Sequence, residues 1–150
     1  MNNLAGRRIQ LVSLSNIILF QKQIIESTEI KKGANINIIQ RFFDPLDRFD
    51  KMKDDPSVKI EKDVDEYLVN KVYGCQLVIT NISIANLNLQ LLFEVPNGAI
   101  PVNTFEYTKS TDLNIASYQS KMIEYFFYFP KEGCFSVQRS NASRNGVVIG

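Results

Sequence analysis

The clearest signal along the chain is an alternation with a period of two. Leu87, Leu89, Leu91, Phe93 and Val95 alternate with Asn88, Gln90, Leu92 and Glu94. Successive side chains of an extended strand point to opposite faces, so those five share one side, whereas a helix would scatter them around its circumference. Cys75, Leu77 and Ile79 alternate in the same way with Gln76, Val78 and Thr80. Farther along, Ile123, Tyr125, Phe127 and Phe129 share one face and Met122, Phe126 and Tyr128 the other. Such a strand is apolar on both sides and needs cover on each. Leu113 and Ile115 mark a shorter strand, and Phe135 and Val137 begin a return strand.

Turn chemistry separates these runs at Pro96-Asn97-Gly98 and at Pro130-Lys131-Glu132-Gly133. Short strands between turn signals predict an all-β chain, an antiparallel sandwich over residues 67–150. Upstream, Asn35 to Phe43 reads as a strand with Ile36, Ile38 and Phe42 on one side. Ile17 to Ile25 fits a helical face or one side of a strand, and its β-branched content favours the strand. Asp44-Pro45-Leu46-Asp47 has the chemistry of a helix start: Asp44 as the cap, Pro45 in the first turn. The charged run from Asp50 to Pro56 is a solvated connection. Residues 17–66 therefore read as an N-terminal β extension with a short helix or charged loop near 44–65. Residues 1–16 read as a poorly ordered leader. The apolar run Gly146-Val147-Val148-Ile149-Gly150 reads as a strand cut short, and suggests a piece of a larger protein.

Composition narrows the chemistry. Among 150 residues there are no histidines, which excludes Ser-His-Asp and Cys-His nucleophile machinery and histidine-containing zinc sites. Lys+Arg 17 against Asp+Glu 16 leaves +1, no field to attract nucleic acid. No apolar stretch is long enough to insert into a membrane as a helix, and no clean signal peptide opens the chain. Cys75 and Cys134 are too few for a four-cysteine zinc site. Their spacing suits an inter-sheet disulfide, yet there is no tryptophan and Glu132 stands two positions before Cys134, where an immunoglobulin domain carries tyrosine. The balance favours two reduced, buried thiols.

Gln76-Leu77-Val78-Ile79-Thr80-Asn81 and Tyr128-Phe129-Pro130-Lys131-Glu132-Gly133-Cys134-Phe135 resemble segments of an immunoglobulin-like β-sandwich module. The likeness is to the fibronectin-type sandwich repeated in macroglobulin-like proteins, over roughly residues 67–140. Those modules open on a strand, Thr-Asn-x-Ser and a second strand ending in Pro-x-Gly, and close on an aromatic strand with a Pro-x-x-Gly-x-Phe hairpin. The macroglobulin thioester motif is missing, because Gly74-Cys75-Gln76 lacks its inner Gly-Glu. The resemblance implies an architectural role and carries over no catalytic residue.

The remaining candidates for chemistry are weak against their bland alternatives. Asp44, Asp47 and Asp50, or Asp63, Asp65 and Glu66, lie among Arg48, Lys51, Lys53 and Lys62 in loop-like sequence. General acid–base work needs one desolvated carboxyl, which such surroundings do not supply. Ser120 and Lys121 are adjacent, so on a strand they point to opposite faces. Asn81-Ile82-Ser83 and Asn141-Ala142-Ser143 match the N-glycosylation tripeptide, with Asn81 better suited to a strand-end turn. No glycine-rich phosphate cradle and no metal-ligand spacing occur.

The aromatic residues Phe126 and Tyr128, with Phe105 and Tyr107, are therefore the candidate binding residues. The expected function is that of a non-catalytic module, structural or binding protein. Its partners would be neighbouring domains or another protein, with no cofactor, nucleic acid or membrane insertion. The alternative is a carbohydrate-binding module stacking sugar on Phe105 and Tyr107. The apolar residues of the N-terminal segment, Ile18, Phe20, Ile24, Ile36 and Ile38, are the expected cover for the Met122, Phe126 and Tyr128 row.

Overall fold

The computed structural model describes Ser15 and residues 35–51, 57–103 and 106–149. Apart from Ser15, the expected leader and the 17–25 stretch lie outside the described residues, as does Phe105. Among the described residues ten strands form: β1 (Ile36–Phe43), β2 (Phe49–Lys51), β3 (Lys59–Glu61), β4 (Val72–Asn81), β5 (Leu87–Glu94), β6 (Ile100–Val102), β7 (Thr108–Ile115), β8 (Ser120–Tyr128), β9 (Asn141–Arg144) and β10 (Val147–Val148). One sheet has the order β1-β4-β8-β6, the other β10-β9-β5-β7, and β2 pairs with β3 in a separate hairpin. Every pairing is antiparallel. The chain is an all-β sandwich, as the alternation requires.

The two inner faces meet along the rows read from the sequence. Tyr73, Cys75, Leu77 and Ile79 of β4 and Tyr125 and Phe127 of β8 close on Leu87, Leu89, Leu91 and Phe93 of β5, all buried. β1 of the N-terminal extension is built into the first sheet, pairing with β4 from Ile36↔Asn81 to Phe43↔Gly74. Its Ile36, Ile38 and Phe42 pack on the core. They are therefore not the cover expected for the opposite face of β8.

From β4 to β9 the chain changes sheet at every connection. The turn signals thus lie in arches between sheets rather than in two-residue hairpins. Pro96 to Ala99 is one such corner: the Ala99 N–H donates to the Pro96 carbonyl at 2.9 Å, and Gly98 takes φ +89° at the third position. A type II turn needs a left-handed residue there, which glycine adopts without steric cost. The segment after Gly133 departs from expectation. Phe135 and Val137 are in no strand. Phe135 instead turns its ring against Phe129, centroids 4.3 Å apart, while the Asn97 N–H holds the Ser136 carbonyl. The return strand starts later, at Asn141 in β9, which pairs with β5.

The expected helix at Asp44 does not form. Asp44 closes a single turn, accepting from Leu46 N–H through its carboxylate (3.0 Å) and from Asp47 N–H through its carbonyl (3.2 Å). The chain then leaves into β2, whose pairing with β3 satisfies the backbone that a helix would have used.

At the opposite end, where β4 and β7 finish, buried Asn81 ties three chain segments together. Its side-chain amide donates to the carbonyls of Ala85 (2.8 Å), Ile115 (3.2 Å) and Ala116 (3.0 Å). Its carbonyl oxygen accepts from the Ser83 backbone N–H (2.9 Å) and hydroxyl (2.8 Å). The strand-end role expected for Asn81 is what the structure shows, and with no exposed surface it cannot carry a glycan. The neighbouring corner presents Tyr118 at φ +56°, a bulky residue in the left-handed region, with its side chain largely in solvent. Among the described residues the other positive-φ positions besides glycine are asparagines, which tolerate it. Tyr118→Gly removes a steric cost of about 1–2 kcal/mol and adds a smaller entropic one. It should raise stability by about 0.5–1 kcal/mol in a denaturant titration. A loss of stability instead would show that the tyrosine ring holds the corner.

Candidate protein-interaction surfaces

The outer face of the first sheet is organised in cross-strand rows. Ile39, Val78 and Met122 stand side by side, followed by Arg41, Gln76 and Glu124, then by Phe43, Gly74, Phe126 and Val102. The last row explains the glycine. A Cβ at position 74 would lie 2.3 Å from the Phe43 ring, so glycine is what lets that ring lie on the sheet. Phe126 meets Phe43 edge-on, ring centroids 6.1 Å apart.

The β2–β3 hairpin and its flanks complete the cover. The Arg48 guanidinium lies 4.0 Å from the centre of the Phe43 ring and pairs with Glu61 (3.1 Å) and Glu124 (3.0 Å). Arg41 reaches Glu61 (3.1 Å) and Asp63 (3.0 Å) from the neighbouring row. A cation over an aromatic face gains when desolvated, and the Arg48 side chain is largely buried. Lys71 pairs with Asp44 at the root of the hairpin. That hydrogen bond holds the Asp44 carboxyl below its ordinary range and raises the lysine above its own. The pair contributes while both groups are charged, and its contribution fades as acid protonates Asp44 or alkali neutralises Lys71.

The sequence candidates are therefore dispersed. Phe126 and Tyr128 are partly covered rather than an open platform, and Tyr107 is exposed in the β6–β7 connection. Phe105 lies outside the described residues, and with it any test of the Phe105 and Tyr107 pair. Met122, in the row of Ile39 and Val78, is 61% exposed, and Ile39 at the other end of that row is exposed as well.

The cysteines correct one expectation and meet another. They are not bridged, as expected, but only Cys75 is buried; Cys134 is exposed in the arch after Gly133. Burial pushes the Cys75 thiol up to about 11. A thiol held protonated is a poor nucleophile. Burial likewise raises Tyr125, whose hydroxyl donates to the Glu94 carbonyl at 2.9 Å. These polar atoms serve the core.

One open side of the sandwich lies between β7 and the part of β8 that β6 does not cover. β6 pairs with β8 only from Tyr128 to Phe126. Lys109 is opposite Phe93 and Lys121 opposite Ile79, so both lysines occupy core-facing positions at the sheet margins. Inward charges on edge strands oppose further strand pairing and aggregation. The sequence marks Lys121 only as the neighbour of Ser120 and does not mark Lys109, because an inward edge charge shows itself only once the register tells which strand is an edge.

A second opening, about 490 Å³, lies at the end of the sandwich beneath Pro96, Phe127 and Phe129. Its sides come from residues 65–69 and from the arch at 131–137. Tyr67 meets Phe129 at 5.5 Å, nearly perpendicular, and Phe135 lies against the other side of the cluster. The alternation puts Phe129 in the core and Phe135 in a strand, and Tyr67, with no alternating pattern around it, gives no such signal.

No family model matches the chain, and no solved structure matches it. Over 143 residues, 95% of its length, the chain is 32% identical to "Actin-binding protein F" of Dictyostelium discoideum. The chain spans 6% of that relative's length, so the likeness is to one small part of a much longer protein.

Proposed function

We propose that this chain is a non-catalytic, immunoglobulin-like β-sandwich module that acts by protein–protein contact within an actin-associated protein. The observation that carries the reading is the similarity of nearly the whole chain to a small part of an actin-binding protein. A short stretch of a long protein that folds as a two-layer sandwich with its own core is the expected form of a repeated or tandem module. The structure supports a surface role from another direction. The most strongly shifted titratable groups, Cys75 and Tyr125, are core residues. The exposed apolar residues Ile39, Met122, Ile84 and Tyr118 lie on the sheet face and at the corners, where a partner can reach them. The fibronectin-type architecture suggested by the Thr80-Asn81 and Pro130-Gly133 segments belongs to the same proposal.

Sedimentation with actin filaments tests it. The purified chain should pellet with filaments in a saturable manner and stay in solution without them. A chain that remains in the supernatant across the whole range of filament concentrations would overturn the actin reading.

A further inference from the structure

The cleft at the Pro96 end of the sandwich joins an aromatic interior to an acidic rim. Its interior is aromatic: Tyr67, Phe129 and Phe135 form a continuous cluster, with centroid separations of 5.5 and 4.3 Å. Tyr67 lines the opening and remains 40% exposed. Its rim is acidic, since Asp65, Glu66 and Glu132 line it against a single cation, Lys131. The neighbouring ion pairs engage other carboxylates, those of Glu61, Asp63 and Asp44. The whole chain carries almost no net charge, so the acidity of this rim is local.

We propose that this cleft receives a basic side chain, arginine or lysine, from an extended segment of a partner protein. The inference rests on the interaction-module reading and names a site for it. Aromatic faces attract a cation through the ring quadrupole, and the attraction grows when water is excluded. The aliphatic stem of arginine or lysine covers apolar wall while its charged head stays near the rim. Carboxylates around the mouth steer a positive group in and disfavour an acidic one. A neutral apolar side chain would fill the same space without using the rim at all. That difference makes the charge complementarity testable.

The experiment is an amide chemical-shift titration of the full chain with three end-blocked heptapeptides, Gly-Ser-Thr-X-Thr-Ser-Gly, where X is arginine, norleucine or glutamate. With arginine, saturable shifts should appear at the amides of residues 65–69 and 131–137. The norleucine peptide should bind roughly fivefold more weakly and the glutamate peptide less still. Combining Asp65→Asn, Glu66→Gln and Glu132→Gln changes only exposed side chains, so the fold should persist, and it should weaken the arginine peptide by a similar factor. Shifts that are absent, that fall elsewhere, or that are equal for arginine and norleucine would overturn the proposal. The readout is the cleft's own amides. Silence there removes the cleft and leaves the filament-pelleting result standing, whereas a responding cleft without pelleting removes only the actin reading.

Discussion

Replacing Asn81 by leucine should cost about 3 kcal/mol or more of stability, although leucine is apolar and the site is fully buried. The amide donates to the carbonyls of Ala85, Ile115 and Ala116, and its oxygen accepts from Ser83. Leucine strands those groups, and each buried polar group left unpaired costs about 1–3 kcal/mol. Some of the carbonyls lie near the surface and can recruit water, which keeps the total near the lower end of the sum. Asn81→Asp is the sharper control: it preserves shape and the acceptor for Ser83, but loses the amide donor and buries a charge. It should be no more stable than the leucine variant. Urea titrations of the three proteins decide the matter. A loss below about 1 kcal/mol for leucine would mean that the corner is held by β4–β8 pairing alone.

A second large effect should separate the two faces of β8. Phe127 has no exposed surface and sits in the core between the sheets, with Phe42 and Phe129 edge-on to it. Phe127→Ala should cost about 3–5 kcal/mol, the range for a phenylalanine deleted from a packed interior. Phe126 points the other way, meets Phe43 edge-on and is only partly buried. Phe126→Ala should cost less, by about 2 kcal/mol. Equal losses would show that the outer row is as deeply covered as the inner one.

That contrast marks how far the sequence could be read. Alternation identifies Leu87, Leu89, Leu91 and Phe93 as one inward row, and all four are buried. It also identifies both faces of β8 and the side of β1 that carries Ile36, Ile38 and Phe42. Burial against an opposing sheet demands a regular apolar pattern, so these elements are legible. Elements without such a demand are not. β9 is Asn141-Ala142-Ser143-Arg144, and only Ala142 among them is buried, so no periodicity announces it. Asp44 and Pro45 are chemically suited to start a helix, but the following residues find strand partners and the cap closes one turn only.

The cover over Phe126 was invisible for a different reason. It depends on Phe43 lying over Gly74 and on Arg48 lying over Phe43, contacts between positions whose adjacency exists only after β1 and β4 have paired. The acidic aromatic cleft likewise draws on residues 65–69 and 129–137, far apart in the chain and irregular in backbone. Of the residues the sequence suits to binding, Phe126 and Tyr128 lie in a partly covered row, while Tyr67 stands in no alternating pattern that would mark it. A strand pattern reports which side chains are buried; it carries no information about which loops converge at the end of a sandwich.

The proposed surface role depends on the two sheets sharing a single core. Residue-resolved hydrogen exchange of the whole chain tests this directly. The amides of Cys75–Ile79, Leu89–Phe93 and Tyr125–Phe127 should be the slowest in the protein, with one common opening free energy equal to that of global unfolding. Slow exchange in the β4 and β8 amides beside fast exchange in those of β5 would contradict it, because the sheets would then open independently and Leu87 to Phe93 would have no shared interior.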